Sequence, residues 1–360
     1  MIWRLRSLAY WPAMLVLAVA GCAPARAEVT TIRQAVDGFI RPAYSAFAQT
    51  TQAEHEAVTA LCAAPSREAL DKSRAVFVET VKTWAAIETV RIGPITENNR
   101  LERVLYWPDR KGIGLKQVQA AIAAEDATAS DPGRLPGKSV AMQGLGALEF
   151  VLFGTGWEDL LTTTKPYRCQ FGAAIAANLE TIAADVANDW DKPDGFAGLW
   201  INPGPDNPIY RTEKEAANDF IETFVQGLEM TRDVRINGFL GEDAGGDKPR
   251  QAIFWRSNAT IASLAANLDG LKRQFDASGL APRLKGEDAF IGGSIDFEFT
   301  NAAKTLAGLD APVAELLKNS ESREKLNYLR IITSSLSDLF GTRLSGTLGL
   351  SAGFSSLDGD

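Results

Sequence analysis

The most apolar segment downstream of the leader, MQGLGALEFVLFG (residues 142–154), holds one carboxylate, Glu149, and two glycines, Gly144 and Gly146. Leu148, Phe150, Val151, Leu152 and Phe153 surround Glu149 in sequence, so a helix here is buried around most of its girth. A buried carboxylate must be paired, hydrogen-bonded or metal-bound, or it takes up a proton. Each glycine costs roughly 1 kcal/mol relative to alanine inside a helix. The usual return is close approach of another helix or a ligand. The segment therefore reads as a helix over residues 138–154 that crosses a neighbour tightly, with one polar group inside.

A second set of charges lies in TWAAIETVRIGP. Leu70, Phe77, Val81 and Trp84 form one helical stripe. Four residues further the stripe reaches Glu88, and Arg91 follows three later, so this inner face ends in a carboxylate and a guanidinium. The candidate binding site is Glu149 with Glu88 and Arg91, with Gly144 and Gly146 leaving room. Arg91 or Arg256 is the expected partner of Glu149. A guanidinium fork should then outweigh burial and lower the carboxyl pKa. Arg256-Ser257 is read as a helix start, there either as a cap or to hold an anion. The only histidine, His55 in AEHEA, is expected on a solvated helix face between Glu54 and Glu56.

Zinc hydrolases need imidazole or thiolate ligands, which this chain lacks in number. A zinc peptidase is therefore not expected, whereas Glu149 within an all-oxygen site for a divalent metal or iron stays open. There is no GxSxG, P-loop, dinucleotide fingerprint or CxxCH. A formal charge of −8 argues against nucleic acid as a partner.

Length suits two packed halves. Alanine-rich runs favour helix and Val/Ile/Thr strand runs are scarce, so the fold class is all-α. Helices are expected at 40–62, 66–92, 114–125, 138–154, 170–190, 212–236, 255–277, 295–308 and 321–345. Ser66 is a plausible N-cap and Thr212 with Glu215 a capping box. GLWINPGPDNPIY marks the division into 22–205 and 206–360. AIAANLETI (174–182) and SLAANLDGL (263–271) echo one another, with Arg168 and Arg256 shortly upstream. A duplicated helical unit and a chance match in alanine-rich helices both fit.

Residues 1–21 read as an export signal: Arg4 and Arg6 precede the short apolar run MLVLAVAG. Two cleavage readings compete. VAGC ending at Cys22 looks like a lipobox, which would lipidate Cys22; ARA ending at Ala27 suits ordinary signal peptidase. Either places the mature chain outside the cytoplasm. The lipobox reading anchors it in the periplasm at the cell membrane, with the outer membrane as the expected surface. Cys62 and Cys169 then remain as a pair in an oxidising compartment, so a disulfide is expected, with two separate thiols as the alternative.

Several of these stretches resemble the imelysin-like family of bacterial envelope proteins. Its signature is G-x-H-x-x-E followed by an apolar run, and GLGALEFVLFG matches at Gly144 and Glu149, with Gly146 in place of the histidine. TWAAIETVRIGP is similar to the family's Trp…Glu…Arg-x-Gly-Pro segment and YWPD to its aromatic-Trp-Pro-Asp turn. FWRSNATIASLAANLDGL and LGLSAGFSSLDGD are similar to its C-terminal half. The resemblance implies two four-helix-bundle-like halves with the signature near their interface. It also implies a metallopeptidase ancestry and an association with iron uptake. Combined with the missing histidine, it suggests a non-catalytic component of iron acquisition. Such a component would bind a ligand, metal or partner among envelope or iron-transport proteins. Two alternatives remain. One is a structural Glu-Arg pair with function on a protein-interaction surface. The other is a peptidase with a rearranged site.

Overall fold

The computed structural model describes residues 25–350; Cys22 and most of LGLSAGFSSLDGD lie outside them. The major helices run α1 (Ala25–Ala35), α2 (Arg41–Ala63), α3 (Arg67–Ile87), α4 (Arg100–Val104), α5 (Ile113–Ala124), α6 (Leu145–Phe153) and α7 (Tyr167–Asp191). They continue with α8 (Phe196–Trp200), α9 (Glu213–Glu229), α10 (Thr260–Ser278), α11 (Ala289–Ala307), α12 (Val313–Leu316), α13 (Ser320–Asp338) and α14 (Ser345–Thr347). No strand occurs among the described residues, and no described helix is long and apolar enough to cross a membrane.

The helices form two four-helix bundles. In the first, α2 packs on α3 and α7, and α6 closes the ring against both. In the second, α9, α10, α11 and α13 form the ring. Helix α1 continues into α2 through a π-helical turn, Val36–Ile40, so the chain's first helix starts well before residue 40. Its N-terminal part packs on α9 and α10 of the second bundle, and α3 lies along α10. The Pro/Gly-rich segment 201–212 connects α8 to α9.

Local sequence accounts for several helix ends. Ser66 accepts the Ala69 amide, and Thr212 and Glu215 form the reciprocal capping box. Cys62, near the end of α2, is bonded to Cys169 at the start of α7. The cores are aromatic: Trp84 meets Phe47, and Phe224, Phe275 and Phe340 cluster in the second bundle.

The crossing of α3 and α10 is unusually close. A Cβ on Gly270 would lie 1.9 Å from the Ala86 carbonyl oxygen, so only glycine lets the two backbones meet there. This crossing carries the end of α3, with Glu88, into the second bundle.

Candidate functional site

The signature segment is not one helix. Val140–Met142 is a single 3-10 turn, and α6 begins only at Leu145, with Gly144 extended before it. A Cβ on Gly144 would sit 2.3 Å from the Val104 carbonyl oxygen and 2.6 Å from that of Arg103. The close approach expected of these glycines is therefore real at Gly144, which receives the end of α4. It is absent at Gly146, in the first turn of α6, where an added Cβ would meet nothing within 4 Å.

The ends of α6 are anchored by arginines. Arg103 donates to Gln143 Oε1 (2.9 Å) and to Asn178 Oδ1 (2.7 Å) just before the helix. At the other end the buried Arg168 donates to the carbonyls of Phe150, Val151, Gly154 and Thr155. Arg74 donates twice to the Leu152 carbonyl. Phe150, Val151 and Leu152 lie in the last turn of α6, where helix carbonyls run out of amide partners, and Gly154 and Thr155 follow directly after it.

Held in this way, Glu149 is buried at 4% exposure. Its Oε1 accepts three hydrogen bonds, from the amides of Arg256 (3.1 Å) and Ser257 (3.0 Å) and from the Ser257 hydroxyl (2.8 Å). Oε2 faces Arg256 Nη1 at 3.8 Å. Helix α10 starts at Thr260, not at 255, because residues 254–258 form a tight turn with positive φ at Phe254 and Asn258. The anion that its amides hold is Glu149 itself. The Arg256 guanidinium lies over the Trp255 ring at 4.5 Å and makes no fork with the carboxylate. The expected lowering of the Glu149 pKa is overturned as a result. Burial pushes the carboxyl above the ordinary glutamate value, and the Ser257 and Arg256 donors only partly offset it.

Glu88 and Arg91 do not join this centre. Glu88 is buried with Arg235, each 4% exposed, in an ion pair of 2.8 Å. Its other oxygen accepts from Asn267 Nδ2 (2.8 Å), which also donates to the Ala85 carbonyl (2.7 Å). Arg235 belongs to the π-helical turn Met230–Ile236 that ends α9. Arg91 points to the Met230 sulfur (3.5 Å). The Glu88 and Glu149 centres have no hydrogen-bond partner in common. The single expected constellation is thus two separate polar bridges between the bundles.

Sequence reading missed Arg235 and Asn267 as positioning residues, gave Arg168 no role beyond the echo, and read Ser257 as a cap or anion holder without linking it to Glu149. One signal was available. The repeated AANL asparagines, Asn178 and Asn267, are both buried and both donate to a backbone carbonyl across a helix contact. His55 is half-buried, with Nδ1 2.6 Å from Glu180. Its neighbour Glu54 is fully buried, with neither oxygen hydrogen-bonded, so the solvated face expected here holds for Glu56 and in part for His55 but not for Glu54.

The family resemblance implies a metal, and the residues present do not fit one. Gly146 supplies no ligand, Glu149 Oε1 is taken by three protein donors, and no group of three or more His, Cys, Asp or Glu side chains suited to a metal occurs among the described residues. Arg250, Trp255 and Arg256 instead form a wall shared by two clefts of about 600 and 520 Å³.

The family model described as Imelysin matches residues 40–338. An imelysin-like protein from Psychrobacter arcticum 273-4 superposes with a TM-score of 0.76 at 20% identity, covering 93% of this chain and 100% of the other. A putative iron-regulated protein A precursor from Parabacteroides distasonis ATCC 8503 gives a TM-score of 0.73 at 13% identity, covering 90% and 97%. No curated protein matches.

Proposed function

Since this chain belongs to the imelysin family, we propose that it is a non-catalytic binding component of the bacterial cell envelope that serves iron acquisition. The observation that carries the reading is the fate of the signature carboxylate. Glu149 holds the 254–258 turn through two amides and a hydroxyl, and that turn presents Trp255 and Arg256 to the clefts between the bundles. A residue engaged in this way is a structural clamp and not an open metal ligand. The name of the Parabacteroides neighbour, an iron-regulated protein, supports the iron context.

Export through residues 1–21 and lipidation at Cys22 complete the proposal, and mass spectrometry of the mature N-terminus tests that part. A chain beginning at Glu28 would remove the anchor. The non-catalytic claim is tested by titrating the purified protein with zinc and manganese in a calorimeter and by assaying it against an unfolded protein substrate. The expected result is no saturable metal binding and no cleavage. Stoichiometric metal binding, or proteolysis lost in Glu149→Gln, would sink it.

A second reading, function on a protein-interaction surface, is favoured by the outer face of α11. There Phe290 and Phe297 are 59% and 64% exposed, two turns apart.

A further inference from the structure

One of the two clefts gathers four cationic side chains. It occupies about 520 Å³, a size typical of small-molecule sites. It lies between the segment that begins with the cis Trp107-Pro108 bond and the stretch from Asp233 to Arg256. Four cations line it, Arg110, Lys248, Arg250 and Arg256, against two acids, Asp109 and Asp233.

Both acids are already engaged. Asp109 accepts from the amides of Ile113 (2.7 Å) and Leu115 (3.2 Å) at the start of α5. Asp233 takes the Arg232 guanidinium on both oxygens, at 2.8 and 2.7 Å. Of the cations only Arg256 has a carboxylate partner, Glu149; Arg110, Lys248 and Arg250 form no ion pair among the described residues. The chain as a whole carries −8, so a cluster of unpaired cations in a concave site is a local reversal of its field. Low-dielectric walls focus such a field on an incoming anion.

Two of the cations share one aromatic wall. The Trp255 ring has the Arg256 guanidinium at 4.5 Å and that of Arg250 at 5.8 Å, which holds two like charges on one wall. Burial disfavours the charged form of Arg256, Glu149 favours it, and the neighbouring Arg250 adds a repulsion that a bound anion would relieve. Glu149 fixes the turn that carries this wall, so the signature glutamate acts here as a positioning residue.

We propose that this cleft binds a small organic polycarboxylate, free or wrapped around a ferric ion, with Arg110, Lys248 and Arg250 as its anion contacts. The inference rests on the binding reading above and deepens it. A hard metal ion can have its coordination filled by the oxygens of a chelator. A protein without a metal-ligand cluster can then still hold the metal by reading the negative charge of the chelate. Specificity would come from the spacing of the three free cations, and affinity from charge-assisted hydrogen bonds.

Calorimetric titration of the purified mature protein with citrate, ferric citrate and manganese(II) chloride tests this. Saturable binding is expected for at least one of the two anionic probes, weakening as salt is raised. The stronger of the two identifies the physiological form. Arg110→Gln with Arg250→Gln should weaken it at least about tenfold, the loss of one charge-assisted hydrogen bond or more. Both side chains are exposed, so an unchanged melting temperature should confirm that the variant is folded. The proposal is overturned if neither anion binds, or if the double variant binds as well as the wild type. Saturable binding of manganese alone would instead overturn the reading beneath it, so the two failures appear in different titrations.

Discussion

Two buried glutamates bridge the bundles, and they are satisfied in different ways. Glu88 meets a guanidinium as buried as itself, at 2.8 Å, and a side-chain amide. Glu149 meets two backbone amides and a hydroxyl, with its guanidinium at 3.8 Å and turned onto an indole ring. The first is a salt bridge inside the contact of α3, α9 and α10. The second is a carboxylate clamp on a turn. A salt bridge of this kind is costly to break from one side, since the remaining charge stays buried. A clamp leaves mainly neutral donors behind, and the one guanidinium near it, that of Arg256, is partly exposed. The contrast suggests that the Glu88 centre holds the bundles together, whereas the Glu149 centre shapes a surface.

The largest expected effect tests how far the Glu149 side depends on the first bundle. The Cys62–Cys169 bond closes a loop with a sequence separation of 107 and lies beside Arg168, which ties down α6. On the chain-entropy picture its reduction should lower stability by about 4 to 5 kcal/mol. Chemical denaturation with and without reductant measures this, and an unchanged midpoint would show that packing alone holds α6.

Arg235→Met should cost about 3 to 5 kcal/mol, because it leaves the Glu88 charge without its counterion. Adding Glu88→Leu should recover most of that loss. If the double variant is as unstable as the single one, the damage comes from lost shape and the ion-pair account fails.

Glu149→Ala should cost about 1 to 3 kcal/mol, because the Arg256 and Ser257 donors are left unmet in a half-buried turn. Arg256→Ala should cost less than Arg235→Met in the same urea titration. The reverse order would abolish the distinction between clamp and bridge.

Glu54 sharpens the comparison as a buried carboxyl with neither kind of partner. Burial alone raises its pKa well above the usual value. An acid whose folded pKa is raised binds its proton more tightly in the folded state. Its contribution is therefore complete below the unfolded value of 4.5 and is lost as pH rises through the folded one. Every tenfold gain in proton affinity on folding is worth about 1.4 kcal/mol. The Glu149 pKa moves in the same direction, opposed by its donors. Glu54→Gln should leave stability near pH 4 unchanged and raise it at pH 8. Parallel pH profiles for variant and wild type would exclude Glu54 as the source of the slope.

The smallest effect is expected at Gly146, where a side chain meets open space. Gly146→Ala should be neutral or stabilising by up to about 1 kcal/mol, as read from the thermal midpoint. A clear loss of stability would mean that the glycine serves a packing role after all.

Periodicity, capping residues and the proline-rich connection made the helical class, most helix positions and the capping box at Thr212 legible before any coordinates, because they depend on residues within one or two turns of each other. Two cysteines in a chain read as exported pointed to the disulfide that is observed, and an apolar helix with one carboxylate implied that Glu149 would be buried with partners. Arg256 was one of the two partners expected for Glu149, but the sequence did not show that its backbone amide and that of Ser257 would do the holding, and no partner was legible for Glu88. Glu88 and Arg91 share a helix face, yet Glu88 turns to Arg235 and Asn267, 147 and 179 residues away, because the α3–α10 crossing at Gly270 selects its neighbours. Gly144 and Gly146 look alike in sequence, yet one is extended ahead of α6 against the carbonyls of α4 and the other lies in its first turn beside open space. The Glu149 pKa was misjudged for the same reason. A carboxylate's charge depends on the distance and angle of its donors and on the loss of water, and these belong to the packed molecule.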